Sequence, residues 1–533
     1  MTNSDPIPAP PRAPSLLRFL LTGFGFFIAF AALLWWQQNG QGSLFSYPSD
    51  ESYIDLAVAR SWAETGLPML GSDLVPLQNN GLWRAIISIA VKYGMDLAGS
   101  PTLLSLLAGL LSIPAFLSLS RVVAVRASLM WWAIIAWALM GPVIPDAFTG
   151  QPLTVGALLI LCALFAHAYA LRSDETPLPV AAALWIALAA LFRIEFVALW
   201  LACGFHVLLL RILRRVNAGY VTLLIRWLTG VVIFAIVLCP IIWWNMRAIG
   251  VPWPPAPDTT LTLNAVEHPS AIHNFAVLGL SAAFSSIWHG PLLENALLKL
   301  FAVIGVVLVL VDILRKQLDW AATTLLFGFI VPFAFAPFYP FLGVSGLPAL
   351  MTALTPLWLL LIGYTVVAVV RVVDRLVEKA QLPLPGKWVS VIVAVLIGVI
   401  PLFAGVRDQG SHWREHRAAQ GEQMEARAAL AKSLSAKVVS KETVLASDAP
   451  GWLLYEGYES ALDLQGRLQP VLLDYVTASG VRDADGLRDY LAFRKVQYGV
   501  LWSHGDAALM RLFECPADEL PPTICEFSWR ADP

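Results

Sequence analysis

Residues 179–210, PVAAALWIALAALFRIEFVALWLACGFHVLLL, are apolar throughout except for Arg193 and Glu195 near the middle and His206 further on. As one helix the run would reach ~48 Å at 1.5 Å per residue, far more than a bilayer core of about 30 Å. It therefore folds back. Two short, tilted helices meet at Arg193-Ile194-Glu195, which leaves Arg172 before them and Arg211, Arg214 and Arg215 after them on one side of a membrane. Ionisable groups in an apolar run are costly and face a cavity or a partner. Arg193 and Glu195 are thus candidate site residues, whereas His206, nearer the basic end, reads as structural.

Composition agrees with a membrane fold. The 533 residues are 58% hydrophobic and only 14% charged, with a mean hydropathy of +0.69, against roughly 45–50% and 25% in soluble chains. A net charge of −2 offers no basic stripe for nucleic acid. No glycine-rich phosphate loop, zinc-spaced cysteine pair or nucleophile elbow is present.

Outward from the hairpin, the chain reads as a polytopic α-helical membrane protein with about eleven transmembrane helices. Residues 1–14, with five prolines, form a disordered cytoplasmic leader. The membrane domain covers 15–404. An uncleaved anchor at Leu16 to Trp36 is followed by a large external loop, 37–100, in which Leu82 to Leu97 reads as a helix lying in the interface. Further spans fall near 101–120, 127–145 and 152–171, then the hairpin, then 221–243. A second external loop, 244–295, rich in Trp and Pro, precedes spans near 296–314, 320–338, 347–370 and 388–404, with basic loops marking the cytoplasmic side.

An odd number of spans places residues 405–533, soluble in composition, outside the cytoplasm. The N-terminus then lies on the cytoplasmic side of the membrane. A charged helix, Arg407 to Ser435, leads into a small C-terminal α/β domain with strand-like runs at Thr443 to Ser447 and Val496 to Trp502. Cys515 and Cys525, in that polar tail, could pair. Cys162, Cys203 and Cys239 read as buried hydrophobes.

The candidate chemistry starts at Ser49-Asp50-Glu51-Ser52-Tyr53-Ile54-Asp55, after the first span. Ser49 and Pro48 open a helix, Asp50 and Glu51 put negative charge where its first N–H groups are unpaired, and Gly66 ends it. At 100° per residue Asp50 shares a face with Ala57, Ser61 and Glu64, while Glu51 and Asp55 stand one above the other on a different face. Dipole compensation alone would account for the two first-turn acids. Candidate cations on the same side are Arg84 and Lys92 in the first loop and Arg247, His268, His273 and His289 in the second.

These pieces, in order, resemble the GT-C superfamily of polyprenyl-phosphate-dependent glycosyltransferases, which includes protein mannosyltransferases and aminoarabinose transferases. Ser49 to Tyr53, continuing through Arg60 to Glu64-Thr65-Gly66, is similar to its acidic first-loop motif. Phe192-Arg193-Ile194-Glu195 resembles its Arg-Pro-Glu element, with Ile194 in place of proline. Trp244-Asn245-Met246-Arg247 and the Pro-rich run to Asp258-Thr259 resemble a later loop, and Leu445 to Ala449 with Leu462 to Gly466 its external C-terminal domain. Two departures stand out: Gln151 follows Gly150 where many relatives carry an acid, and Tyr339 to Gly346 lacks an arginine often found there.

The resemblance implies transfer of a sugar from a polyprenyl-phosphate donor to an envelope glycan, lipid or protein acceptor on the extracytoplasmic face, with inversion. It implies Asp50 as base with Glu51 beside it. Arg193, Arg247, His268, His289 and Arg84 would act on the donor phosphate, with Tyr53, Asp55, Arg60 and Glu195 in support. Glu51 and Asp55 are candidates to hold a divalent cation. A transporter or flippase of lipid-linked intermediates, or a non-catalytic assembly subunit of the same fold, would also have about eleven spans. Against a transporter stand the lack of symmetry between the halves and the exported domain.

Overall fold

The computed structural model describes residues 16–39, 46–71, 73–77, 80–124, 127–141, 143–173, 177–252, 280–285, 287, 295–315, 320–335, 346–380, 386–437, 439–465, 468, 484–502, 507–516 and 522–528. Eight helices among them are long and apolar enough to cross a membrane, with shorter apolar helices at Val180–Ala190 and Trp320–Phe335. Their packing requires lipid. The apolar windows of α1 (Leu16–Asn39) and α10 (Tyr220–Ile249) are only 17% buried, leaving Leu21, Ile28, Val221, Ile225 and Ile236 exposed. Water would not tolerate such faces on a stable monomer, whereas hydrocarbon does. The chain is an integral membrane protein.

The remaining elements follow the apolar pattern. α2 spans Asp50–Thr65 and α3 spans Gly81–Lys92. α4 (Ser100–Ala124), α5 (Ala127–Met140), the short α6 (Val143–Ala147) and α7 (Leu153–Arg172) come next. The opening run does fold back: α8 (Val180–Ala190) and α9 (Val197–Ile212) are joined by a single 3-10 turn, Ile194–Phe196. After α10 come α11 (Ala296–Leu314), a 3-10 segment (Trp320–Leu326) running into α12 (Phe327–Phe335), and α13 (Gly346–Ala380).

Two features go beyond the sequence reading. α3 buries Trp83, Arg84 and Ile87 and packs on α2. The last apolar segment gives way near 405, but the helix does not. α14 runs unbroken from Gly386 to Ala436, 51 residues, or ~75 Å at 1.5 Å per residue. No glycine or proline interrupts its polar half effectively, since Gly410 and Gly421 face open space.

Beyond α14 lies a five-stranded sheet in the order β4-β3-β5-β7-β6. β3 (Leu445–Ser447) pairs in parallel with β4 (Leu462–Asp463) and β5 (Tyr498–Leu501). β7 (Thr523–Phe527) runs antiparallel to β5 and to β6 (Phe513–Glu514). A two-stranded ribbon, β1 (Met69–Leu70) with β2 (Asp73–Leu74), hangs from α2. Cys515 and Cys525 form a disulfide beside the β6–β7 pair, as the polar tail led one to expect. The five-residue α15 (Gly451–Tyr455) follows β3 and meets α2.

His206 is structural, in a specific way. Its ring lies 3.0 Å from His167 on α7 and 2.6 Å from the Thr323 hydroxyl, and all three side chains are buried. Thr323 donates to the Trp320 carbonyl, so its oxygen accepts from His206 Nε2–H. His206 Nδ1 then accepts from His167 Nε2–H. Both tautomers are fixed, and the chain ties α7 and α9 to the 3-10 segment. His206→Ala strands the His167 N–H and should cost about 1–3 kcal/mol, read as a lower thermal unfolding midpoint in detergent with the helix content unchanged.

Candidate functional site

α2 begins and ends where its sequence dictates. Ser49 is the extended N-cap residue, and Gly66 closes the helix at φ +80° with its N–H on the Trp62 carbonyl. What sequence does not dictate is its surroundings. The helix is polar on average, yet every residue from Ser52 to Ala59 is buried. One side packs on α3 and Phe192, the other on α15 and the C-terminal sheet through Ile54, Ala57, Val58, Leu453, Leu454 and Val500.

The faces separate the acids as helical spacing requires. Asp55 points inward and is fully buried: Arg84 Nε donates to Oδ1 at 2.6 Å and Asn80 Nδ2 donates to Oδ2 at 2.9 Å. Asn80 sits at φ 68°, a left-handed conformation that asparagine tolerates. Its N–H donates to the Phe192 carbonyl at 2.7 Å. One residue thus joins α2, the start of α3 and the hairpin tip. The Asn80-Gly81 pair ahead of an apolar helical run is the sequence signal for this junction.

The junction brings Arg193 to the acids. Its guanidinium donates to Glu195 Oε1 at 3.3 Å, and both residues are buried. Burial works against the Arg193 charge, but the fields of Glu195, Glu51 and Asp55 outweigh it and hold the guanidinium more firmly protonated than usual. Glu195 Oε2 is buried with no hydrogen-bond partner among the described residues. Glu51 is half-buried, and no described residue hydrogen-bonds its carboxylate.

Asp50 faces the other way. Its Oδ1 accepts the Gly451 N–H at 2.6 Å, so the C-terminal unit touches the acid directly. A Cβ at Gly451 would lie 2.1 Å from the Asp50 carbonyl oxygen, so no other residue fits without moving the contact. Gln151 Nε2 reaches Ser49 Oγ at 3.3 Å, and Ser52 donates to the Thr149 carbonyl at 2.8 Å, so the 149–151 turn borders the same spot. Tyr53 is pinned by the Tyr47 N–H at 3.1 Å and by Arg427 Nη1 at 3.0 Å.

Other expected site residues stand elsewhere or are otherwise engaged. Arg84 is the counter-ion of Asp55. Arg60 holds the carbonyls of Leu454 and Tyr455 at 3.0 and 2.8 Å, clamping α15. Arg247, at the exposed end of α10, lies over the Trp243 ring at 5.8 Å. Its neighbours have positional work: Trp244 Nε1 donates to Val75 O, and Asn245 brackets Leu77 at 2.8 and 3.1 Å. His268, His273, His289 and residues 339–345 lie outside the described residues.

The Glu51–Asp55 pair does not suit a divalent cation, because both Asp55 oxygens already accept from Arg84 and Asn80. Among the described residues no group of three His, Cys, Asp or Glu side chains could hold a metal. Sequence reasoning missed Asn80, Gly451 and Arg427, of which only the first has a local signature.

Burial raises the Asp55 carboxyl from 3.8 to about 6, against the pull of Arg84. Because the folded state binds this proton more tightly than the unfolded state, Asp55 contributes stability below about pH 4 that is lost as pH rises through about 6. The thermal midpoint of the parent chain, relative to Asp55→Asn, should therefore fall between pH 4.5 and 6.5. A flat difference across that window would contradict the assignment.

No protein-family model matches the chain, and no curated protein matches it. Solved structures do. The structure of ArnT from Cupriavidus metallidurans bound to undecaprenyl phosphate is similar at a TM-score of 0.50 and 14% identity, over 97% of this chain and 99% of that one. ArnT in the apo state aligns at 0.47 and 15% identity, over 96% and 98%. At such identity the likeness is one of fold: from the first helix to the C-terminal sheet, the chain shares the fold of ArnT.

Proposed function

We propose that the chain is a membrane glycosyltransferase that moves a sugar from a polyprenyl-phosphate donor to a hydroxyl or amine of an envelope glycan, lipid or protein. The observation that carries this reading is the coupling of the buried Arg193–Glu195 turn to Glu51 and Asp55 on α2, the helix that Asp50 opens, in a fold shared with a protein crystallised with undecaprenyl phosphate. Transfer takes place on the extracytoplasmic face of a bacterial-type inner membrane. The Cys515–Cys525 disulfide supports that placement of residues 405–533, since disulfides persist in oxidising compartments.

Asp50 is the general base. The acceptor oxygen or nitrogen forms a bond to the anomeric carbon, the bond from that carbon to the phosphate oxygen breaks, and the acceptor proton passes to the Asp50 carboxylate. A single displacement inverts the anomeric centre. Polyprenyl phosphate leaves as an anion, met by Arg193. Arginine suits this task because its planar fork binds phosphate through two donors. Glu195 orients Arg193. Arg84, already paired with Asp55, braces the cluster, and Glu51 keeps negative charge beside the base.

The test is direct. Purified protein given a lipid-linked sugar and an extract of envelope acceptors should release polyprenyl phosphate. Asp50→Asn, whose amide oxygen can still accept the Gly451 N–H, should keep the fold and lose transfer by at least about 100-fold. Near-normal turnover by that variant would overturn the base assignment. Mass spectrometry of envelope glycans with and without the protein identifies the sugar and acceptor.

A further inference from the structure

We infer that Arg427, on the polar half of α14, is a positioning residue for the reaction proposed above: it fixes the segment leading into α2 and thereby sets where the Asp50 carboxylate stands. The inference rests on the reading of Asp50 as the base. It comes from a stripe on α14 that sequence alone did not single out. Trp413, Gln420, Arg427 and Leu434 recur every seventh residue and are all buried, at 5%, 3%, 6% and 1% exposure.

Each member grips the end of α1, the chain between α1 and α2, or the core behind it. Trp413 Nε1 donates to Gln37 Oε1 at 3.0 Å, and Gln38 Nε2 donates to Gln420 Oε1 at 3.1 Å. Gln420 Nε2 in turn donates to the Ser46 carbonyl at 2.6 Å. Arg427 Nη1 donates to the Tyr47 carbonyl and to the Tyr53 hydroxyl, each at 3.0 Å, with its guanidinium carbon 4.3 Å from the Tyr53 ring centroid. Two successive carbonyls, Ser46 and Tyr47, are therefore held from one helix face, immediately before Pro48-Ser49-Asp50. Pro48 has a restricted φ, so fixing Tyr47 leaves little slack in the path to Asp50.

Charge adds to geometry. Burial lowers the pKa of Arg427 below the usual guanidinium value, and the fields of Tyr53 and Asp50 offset this only in part. The attraction is mutual, so Arg427 favours the ionised form of Asp50. Glu51 follows Asp50 on α2, the Gly451 amide of α15 donates to it, and Arg427 on α14 acts on both Asp50 and Tyr53, whose ring meets that of Tyr455 at 5.3 Å. Arg427 is a positive charge whose field reaches Asp50. A general base must be both ionised and placed to within a fraction of an ångström.

The experiment uses the full-length purified protein and the transfer assay above, run on Arg427→Met, Arg427→Lys, Gln420→Met and Asp50→Asn with kinetics as a function of pH. Arg427→Met should lower kcat by about 10–100-fold with the donor KM changed by less than threefold, and should move the acid limb of kcat/KM to higher pH. Arg427→Lys keeps the charge, and with it the acid limb, while losing about tenfold in kcat. Gln420→Met, which loosens the same segment without changing charge, should leave the limb unmoved.

If Arg427→Met cannot be recovered folded, Arg427→Lys carries the test. Parent-like kcat in whichever Arg427 variant is folded, or an unmoved acid limb in Arg427→Met, overturns the inference. The two readings fail separately. An active Asp50→Asn removes the base assignment, whereas a dead Asp50→Asn beside a fully active Arg427→Met removes only the role of Arg427.

Discussion

Asp55 cannot reach water, and the surroundings of α2 are arranged around that fact. An ionised carboxylate in such a place is costly unless paired and hydrogen-bonded on every lone pair that matters. The Arg84 guanidinium and the Asn80 amide meet that demand from α3 and its leading turn. Asn80 then holds the Phe192 carbonyl, so the tip of the α8–α9 hairpin is drawn onto the same cluster. One buried charge thereby sets the relation between an extramembrane helix and two short membrane helices, and places Arg193 within electrostatic range of Glu51.

α2 has a second side, and the C-terminal chain covers it. Arg60 holds α15 by two carbonyls, Gly451 offers its N–H to Asp50, and Leu430 and Leu434 close the apolar layer below. Breaking the Asp55 pair or undocking the sheet would thus act on the same helix from opposite faces. The acids at its start serve different ends: Asp55 is locked into structure, whereas Asp50 and Glu51 stay half-buried at the seam between the membrane helices and the sheet.

Local patterns were readable from the sequence. The cap at Ser49 and the glycine stop at Gly66 follow from backbone chemistry, and the angular separation of Asp50 from Asp55 follows from helix geometry. The fold-back at Arg193 follows from length against bilayer thickness, and the Cys515–Cys525 pairing from its polar setting. Arg427 was not readable. It meets Tyr47 across 380 residues of sequence, and a lone arginine on a charged helix resembles a solvated one until its partners are known. The role of Arg84 was misjudged for a related reason: spacing gives a cation's side of the membrane, but only tertiary contact says which acid already holds it. The span near 388–404 and the charged helix from Arg407 read as two elements, because composition changes there, but composition reports the solvent around a helix, not its end.

The unbroken course of α14 carries a consequence for how this chain can vary in length. Residues near its lipid-facing half and the stripe at Trp413, Gln420 and Arg427 belong to one rod, so every residue added or removed between them turns the stripe by about 100° and slides it by 1.5 Å. A single insertion would aim Arg427 away from Tyr47. Seven residues amount to nearly two full turns, within about 20°, and would restore the direction at the cost of ~10 Å of height. The helix works as an indexed shaft: its phase, as much as its sequence, decides whether the far end of the chain meets the acids at the start of α2.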